Sequence, residues 1–98
     1  MYIIREIFQL HFGAYKAAKA LLDEAKSKSL LPVSDSSRVL SDFTGDSYRL
    51  VFEVGYESLA EFERSLGESM NKEEWKKWYE KFKQHIRSSH REIMKQVI

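Results

Sequence analysis

The order in which two periodicities follow one another along the chain constrains its fold most. A period of two, typical of strands, occurs in residues 2–11, 38–44, 47–56 and 91–98. A period near 3.6, typical of helices, separates the first two of these strands and also precedes the last. The predicted order is therefore β-α-β-β-α-β. This is the pattern of a ferredoxin-like α+β sandwich, with a four-stranded antiparallel sheet and helices on one face.

The first predicted strand is apolar on both faces. One parity would pack under the helices and consists of Tyr2, Ile4, Phe8 and Leu10. The other parity carries Ile3 and Ile7, which would point into water together with Val51 of the third strand, because the helices cover only one face. Exposed apolar patches of this kind mark interfaces. We therefore expect a two-fold symmetric homodimer in which the bare sheet faces meet.

Turn residues set the limits of the first half of the chain. The first helix should cover residues 13–28, and its buried stripe should be Ala14, Ala18, Leu21, Leu22 and Ala25. Residues 27–37 contain five serines and the only proline, a composition typical of a loop. Gly45 predicts a tight turn over residues 44–46 between the second and third strands.

Capping residues predict that the second helical segment is broken in two. Ser58 with Glu61 has the spacing of a capping box and begins a short helix, which Gly67 should end. Asn71 with Glu74 repeats the spacing and should begin an aromatic helix over residues 72–88. The C-terminal residues alternate as a fourth strand would, although a continuing helix through HREIMKQVI is the rival interpretation.

Composition excludes several classes of partner. The 98 residues suit one domain, residues 1–98, and a net charge of +1 lacks the basic excess that nucleic-acid binding usually requires. No apolar run approaches the roughly 20 residues of a membrane span. The absence of cysteine suits a reducing compartment. We therefore expect a cytoplasmic protein without a nucleic-acid or membrane partner.

Aromatic residues dominate one face of the predicted last helix. Spacings of three and four residues align Trp75, Trp78, Tyr79, Phe82 and Ile86. Such a stripe is what a helix packed on a sheet needs, so we favour core filling, with a ligand site as the alternative.

Glu6 interrupts the apolar parity of the first strand. A carboxylate under a helix layer is costly unless it is paired or protonated. We expect its partner among His85, a hydroxyl of Tyr48 or Tyr79, and the indole N–H groups of Trp75 and Trp78. A carboxyl held in this way could act as an acid or base. The alternative is that Glu6 reaches the sheet edge or forms a structural salt bridge.

The histidines do not form a metal motif. His11, His85 and His90 lack the spacing of ligands on one helix, so we predict no metal site. There is no glycine-rich phosphate loop and no nucleophile elbow. We therefore predict no cofactor from these residues.

Charged residues should line the bare sheet face. Arg5, Gln9, Arg49 and Glu53 fall there. Opposite charges on neighbouring strands favour cross-strand ion pairs over ligand recognition.

Three segments of the chain together resemble a known family. REIFQLHFGAYKAAKALL, RVLSDFTGDSYRLVFEVGYESLAEFERSLGE and EEWKKWYEKFKQHIRSSHREIMKQV resemble the small NIPSNAP-like proteins of the dimeric α/β-barrel superfamily. The resemblance implies a homodimer of facing sheets, with a pocket between helices and sheet in each subunit. It also implies kinship with antibiotic-biosynthesis-type monooxygenases and heme-degrading enzymes. In the heme-degrading branch an asparagine occupies the position that matches Glu6.

Together these observations predict a binding function. The leading hypothesis is a homodimer that holds a small apolar or aromatic molecule in a pocket lined by Glu6, Tyr48, Trp75, Trp78, Tyr79 and His85. The alternative is a monooxygenase, either cofactor-independent or dependent on heme, in which Glu6 or His85 handles a proton or ligates iron. A dimer without any ligand is the third hypothesis, if the aromatic side chains fill the pocket themselves.

Overall fold

The computed structural model describes residues 1–31 and 36–98 and contains a four-stranded antiparallel sheet with three α-helices on one face. Its elements, in chain order, are β1 (Tyr2–Leu10), α1 (Tyr15–Ser27), β2 (Arg38–Ser41), β3 (Arg49–Tyr56), α2 (Leu59–Met70), α3 (Glu73–Phe82), a 3₁₀ turn (Lys83–His85) and β4 (Ile86–Lys95). The strand order is β2-β3-β1-β4. The ferredoxin-like α+β prediction, with the second helical segment in two parts, is confirmed. Residues 32–35 of the predicted loop lie outside the described residues.

The fourth strand is longer than its alternation indicated. β4 pairs with β1 along nearly the whole of that strand, from Tyr2 opposite Lys95 to Leu10 opposite Ile86. Pairing with the long strand β1 draws into β4 residues that the aromatic stripe predicts to be helical. The rival prediction of a C-terminal helix is therefore wrong, and Ile86 belongs to the strand.

Only one of the two predicted caps forms. The Ser58 hydroxyl accepts a hydrogen bond from the backbone N–H of Glu61 at 3.2 Å, as predicted. Gly67, however, lies inside α2, which continues to Met70. Asn71 has right-handed helical dihedral angles and closes α2, so it lacks the extended backbone of an N-cap. Lys72 occupies that position before α3 and makes no capping contact through its side chain.

The connection between β2 and β3 is longer than the predicted tight turn. It spans residues 42–48, and both Ser47 and Tyr48 have left-handed backbone angles, with φ of 66° and 57°. An ion pair of 3.0 Å from Asp42 to Arg49 holds its two ends together, and the Asp42 carboxylate raises the pKa of Arg49. The Tyr48 carbonyl also accepts a hydrogen bond of 2.7 Å from the backbone N–H of Leu10. These contacts offset the strain of a left-handed aromatic residue.

The core lies between the sheet, α1 and α3. Its buried members are Leu10, Ala18, Leu22, Ala25, Leu30, Leu50, Trp78 and Phe82. The buried residues of α1 belong to its predicted stripe. By contrast α2, which is described throughout, contributes no buried residue. It therefore stands off the sheet and leaves space beneath it.

The open face of the sheet is only partly as predicted. Ile7 and Val51 are 5% and 6% exposed within the single chain, so the expectation that they point into water is wrong. Polar residues lie two positions before them on the same strands and therefore on the same face, Arg5 before Ile7 and Arg49 before Val51. The exposed apolar side chains on this face are Leu40 and Met94 of the two edge strands.

A row of alternating charges crosses all four strands on this face. Its members are Arg38, Glu53, Arg5 and Glu92, in strand order. The successive ion pairs are 2.8, 2.9 and 3.5 Å long. The predicted cross-strand pairing of Arg5 with Glu53 is therefore confirmed, whereas Arg49 pairs with Asp42 instead.

Candidate functional site

A pocket of about 370 Å³ lies between the helix-covered face of the sheet and the helices α2 and α3. It exists because the apolar side chains of α2 line its wall without reaching the core. The apolar part of the wall consists of Ile4, Phe8, Leu22, Leu31, Val39, Leu50, Phe52, Val54, Phe62, Leu66, Met70 and Phe82. The remaining wall residues are Glu6, Tyr56, Ser69, Trp75, Trp78, Tyr79, Ser89 and Arg91. Four of the six predicted site residues thus meet at one pocket.

Trp78 forms the inner part of the aromatic stripe. Its indole N–H donates a hydrogen bond of 2.6 Å to the Leu21 carbonyl of α1, and its ring stacks on Phe82 at 4.8 Å. Phe82 in turn meets Phe8 of β1 edge to face at 5.2 Å. This half of the stripe fills the core, as the favoured interpretation expected, and only borders the pocket.

Trp75 and Tyr79 form the outer part of the stripe. Their rings are nearly parallel, at 9°, with centroids 4.9 Å apart. Trp75 is half-buried and Tyr79 is exposed, and both residues line the pocket. Trp78 and Phe82 are therefore members of the buried core, whereas Trp75 packs against that core while only partly buried.

Glu6 pairs with a residue outside its predicted set of partners. Arg91 lies directly opposite it on β4, and the guanidinium Nε donates to the Glu6 carboxylate. The same guanidinium lies over the Phe62 ring of α2, 5.1 Å from its centroid. The expected partners, among them His85 and the tyrosine hydroxyls, are not used, and the salt-bridge alternative is the one observed. Cross-strand register is the signal that identifies this partner, because alternation predicts a strand at Arg91 but does not align it with β1.

The other two predicted site residues lie elsewhere in the described structure. Tyr48 is in the connection from β2 to β3, where its ring contacts Phe12 at 5.1 Å. His85 ends the 3₁₀ turn, and its carbonyl accepts a backbone hydrogen bond of 3.0 Å from His11. Neither belongs to the pocket wall.

The comparison with protein families identifies the family of this chain. The model of the NIPSNAP family matches residues 41–98, which is more than half of the chain. This chain belongs to the NIPSNAP family. No curated protein matches its sequence.

Solved structures of NIPSNAP proteins have the same fold as this one. A NIPSNAP family protein from Agrobacterium tumefaciens has a TM-score of 0.83 at 19% identity, over 96% of this chain and 91% of that one. A NIPSNAP-like domain protein from Burkholderia xenovorans has a TM-score of 0.87 at 16% identity, over 98% and 84%. An antibiotic biosynthesis monooxygenase reaches 0.73 at 17% identity, over 100% of both chains. At these identities the likeness shows the fold alone.

Neither residue predicted to ligate a heme iron is placed in this NIPSNAP protein as that role requires. His85 lies outside the described pocket wall, and the Glu6 carboxylate is paired with Arg91. Within residues 1–31 and 36–98, no three His, Cys, Asp or Glu side chains are grouped as a metal site would require. In the same ranges, every helix is too short or too polar to cross a membrane.

Proposed function

We propose that this NIPSNAP protein is a homodimeric cytoplasmic binding protein that holds a small apolar or aromatic molecule between its sheet and helices. The observation that supports this most is the pocket of about 370 Å³, whose wall is apolar except for a few side chains. Ligand sites of proteins typically combine such a wall with a small number of polar groups that fix orientation.

The aromatic side chains would supply most of the contact area. Phe52 of β3 and Phe62 of α2 lie on opposite walls, and the stacked Trp75–Tyr79 pair lines the pocket from α3. A planar ring between them would gain both apolar burial and stacking. Of the predicted ligand contacts, we retain Glu6, Trp75, Trp78 and Tyr79.

The open sheet face supports the proposal of a homodimer. Leu40 and Met94 expose apolar side chains on either side of the charge row. Under a two-fold axis, such a row would meet its own copy running in the opposite direction, so that opposite charges could face each other. The pockets lie on the other side of each sheet and would stay open.

Calorimetric titration with 2-naphthamide, a neutral aromatic probe, tests the binding function. Leu66→Arg places a charge in the pocket wall, and because α2 has no buried residue the core should not depend on this position. Leu59→Arg is the matched control, on an exposed position of the same helix outside the wall. We expect saturable binding to the wild type and the control but not to Leu66→Arg. Equal binding by all three proteins would place the probe elsewhere and reject the pocket.

Oxygen consumption, recorded during the same titration, tests the alternative function, which is that of a monooxygenase. The likeness to an antibiotic biosynthesis monooxygenase suggests this readout. Uptake of oxygen that depends on the probe would convert the proposal from binding to oxidation.

A further inference from the structure

We infer that the pocket selects carboxylic acids, with the carboxylate of the ligand bound by Arg91 and its apolar body held by the aromatic wall. This inference rests on the proposed binding function and adds the chemical class of the ligand. It is carried by the one oppositely charged pair that the described pocket wall contains, Glu6 with Arg91.

Among residues 1–31 and 36–98, Glu6 is the one hydrogen-bond acceptor that the Arg91 side chain contacts, so part of its hydrogen-bonding capacity is available there. Its Nε donates to Glu6, which uses one of the five N–H donors of a guanidinium. The guanidinium carbon lies over the Phe62 ring, 5.1 Å from its centroid. The four remaining N–H donors of a guanidinium are on its two Nη atoms. A planar acceptor with two oxygens matches the edge that carries these two atoms, as in bidentate arginine–carboxylate pairs.

The exposures of the two partners favour an anionic over a cationic ligand. The Arg91 side chain is 40% exposed, whereas the Glu6 side chain is 24% exposed. Glu6 therefore acts as the positioning residue, and Arg91 presents the more accessible charge. Among the described wall residues, Glu6 is the sole acid and Arg91 the sole base, so no second carboxylate would repel the ligand.

Titration with three probes of one shape tests the inference. The probes are 2-naphthoate, the neutral 2-naphthamide and the cationic 2-naphthylmethylamine, each measured by calorimetry with the wild-type protein. We expect naphthoate to bind roughly tenfold more tightly than the amide, because a hydrogen bond to a charged partner is worth more than one to a neutral partner. The cation should bind more weakly than both.

Substitutions of Arg91 and Glu6 then test whether Arg91 causes the preference for naphthoate over the amide. Arg91→Met should abolish the preference for naphthoate over the amide, because it removes the guanidinium and leaves an apolar side chain in the wall. Arg91→Lys keeps the charge but loses the planar fork and should give an intermediate preference. Glu6→Gln keeps an acceptor for Nε and removes the opposing charge, so the preference for naphthoate should increase.

The outcomes distinguish failure of the carboxylate inference from failure of the proposed binding function. If the amide binds the wild type as tightly as naphthoate, or if the cation binds best, the carboxylate inference is overturned and the binding function stands. If none of the three probes binds, both are overturned. A preference that survives Arg91→Met would show that another group recognises the carboxylate, which also overturns the assignment.

Discussion

The Trp78 indole N–H donates to the Leu21 carbonyl at 2.6 Å and so connects α3 to α1. Trp75, three residues earlier on the same helix, stacks on Tyr79 at the pocket instead. Two tryptophans that look equivalent in the sequence therefore have different roles. Trp78 is buried and connects α3 to α1, whereas Trp75 is half-buried and is, under the proposed function, the more accessible of the two tryptophan contacts to a ligand.

Trp78→Phe should lower the free energy of unfolding more than Trp75→Phe. The first change leaves part of a buried site empty and removes a hydrogen bond, at a combined cost of about 1–3 kcal/mol. The second changes a half-buried ring and should cost less than about 1 kcal/mol. Urea unfolding at one protein concentration measures both. Equal losses would contradict the division of the aromatic stripe.

Ser58→Ala should destabilise α2, whereas Asn71→Ala should have little effect. The Ser58 hydroxyl accepts the Glu61 N–H at 3.2 Å, and removing such a cap costs about 1 kcal/mol. Asn71 ends α2 and does not cap α3, so its side chain should contribute less than about 0.5 kcal/mol. The same urea experiment compares them. A larger loss at Asn71 would mean that the predicted second capping box forms after all.

Glu53→Ala should weaken the sheet more than Glu92→Ala. Glu53 is nearly buried and contacts both Arg5 and Arg38, at 2.9 and 2.8 Å, so its loss leaves a half-buried guanidinium without its closest partner. We expect a loss of about 1–3 kcal/mol in the free energy of unfolding. Glu92 is exposed and lies 3.5 Å from Arg5, so its removal should cost less than about 1 kcal/mol. Similar values for both variants would show that the charge row is only a surface feature.

Met94→Glu should disrupt the proposed homodimer, whereas Ile93→Glu should not. These neighbours on β4 are similarly exposed, at 50% and 48%, but point to opposite faces of the sheet. A new carboxylate inside an interface of facing sheets would repel its symmetry mate and bury a charge. Sedimentation velocity gives the mass of each variant. A monomeric wild type, or a Met94→Glu variant that remains dimeric, would argue against the sheet-to-sheet assembly.

The sequence predicts the topology of this protein because most elements are indicated by residues close together in the chain. Alternation in β1 and β3, the α1 stripe and the Ser58 cap depend on residues close together in the chain, and the structure agrees with them. The end of α2 was missed because a glycine within a helix is tolerated when the backbone beyond it stays helical. The end of α3 depended on a distant partner, since pairing with β1 draws Ile86 into β4.

The candidate site was predictable only in part, for the same physical reason. Glu6 is identified because it interrupts the apolar parity of the first strand. Trp75 and Trp78 are identified because they belong to the aromatic stripe of one helix. Arg91 was missed because its role depends on the register between β1 and β4, which are far apart in the sequence. The pocket itself arises from the way α2 stands off the sheet, a spacing that periodicity does not encode.

The most direct test of the central claim is an NMR titration of the ¹⁵N-labelled wild-type protein with 2-naphthamide, following the two indole N–H signals. Trp75→Phe and Trp78→Phe assign the signals. If the pocket binds the probe, the Trp75 signal should shift in a saturable manner, while the Trp78 signal, held by the Leu21 carbonyl, should shift much less. Saturable binding that leaves the Trp75 signal unmoved, or no binding at all, would contradict a ligand pocket between the sheet and the helices.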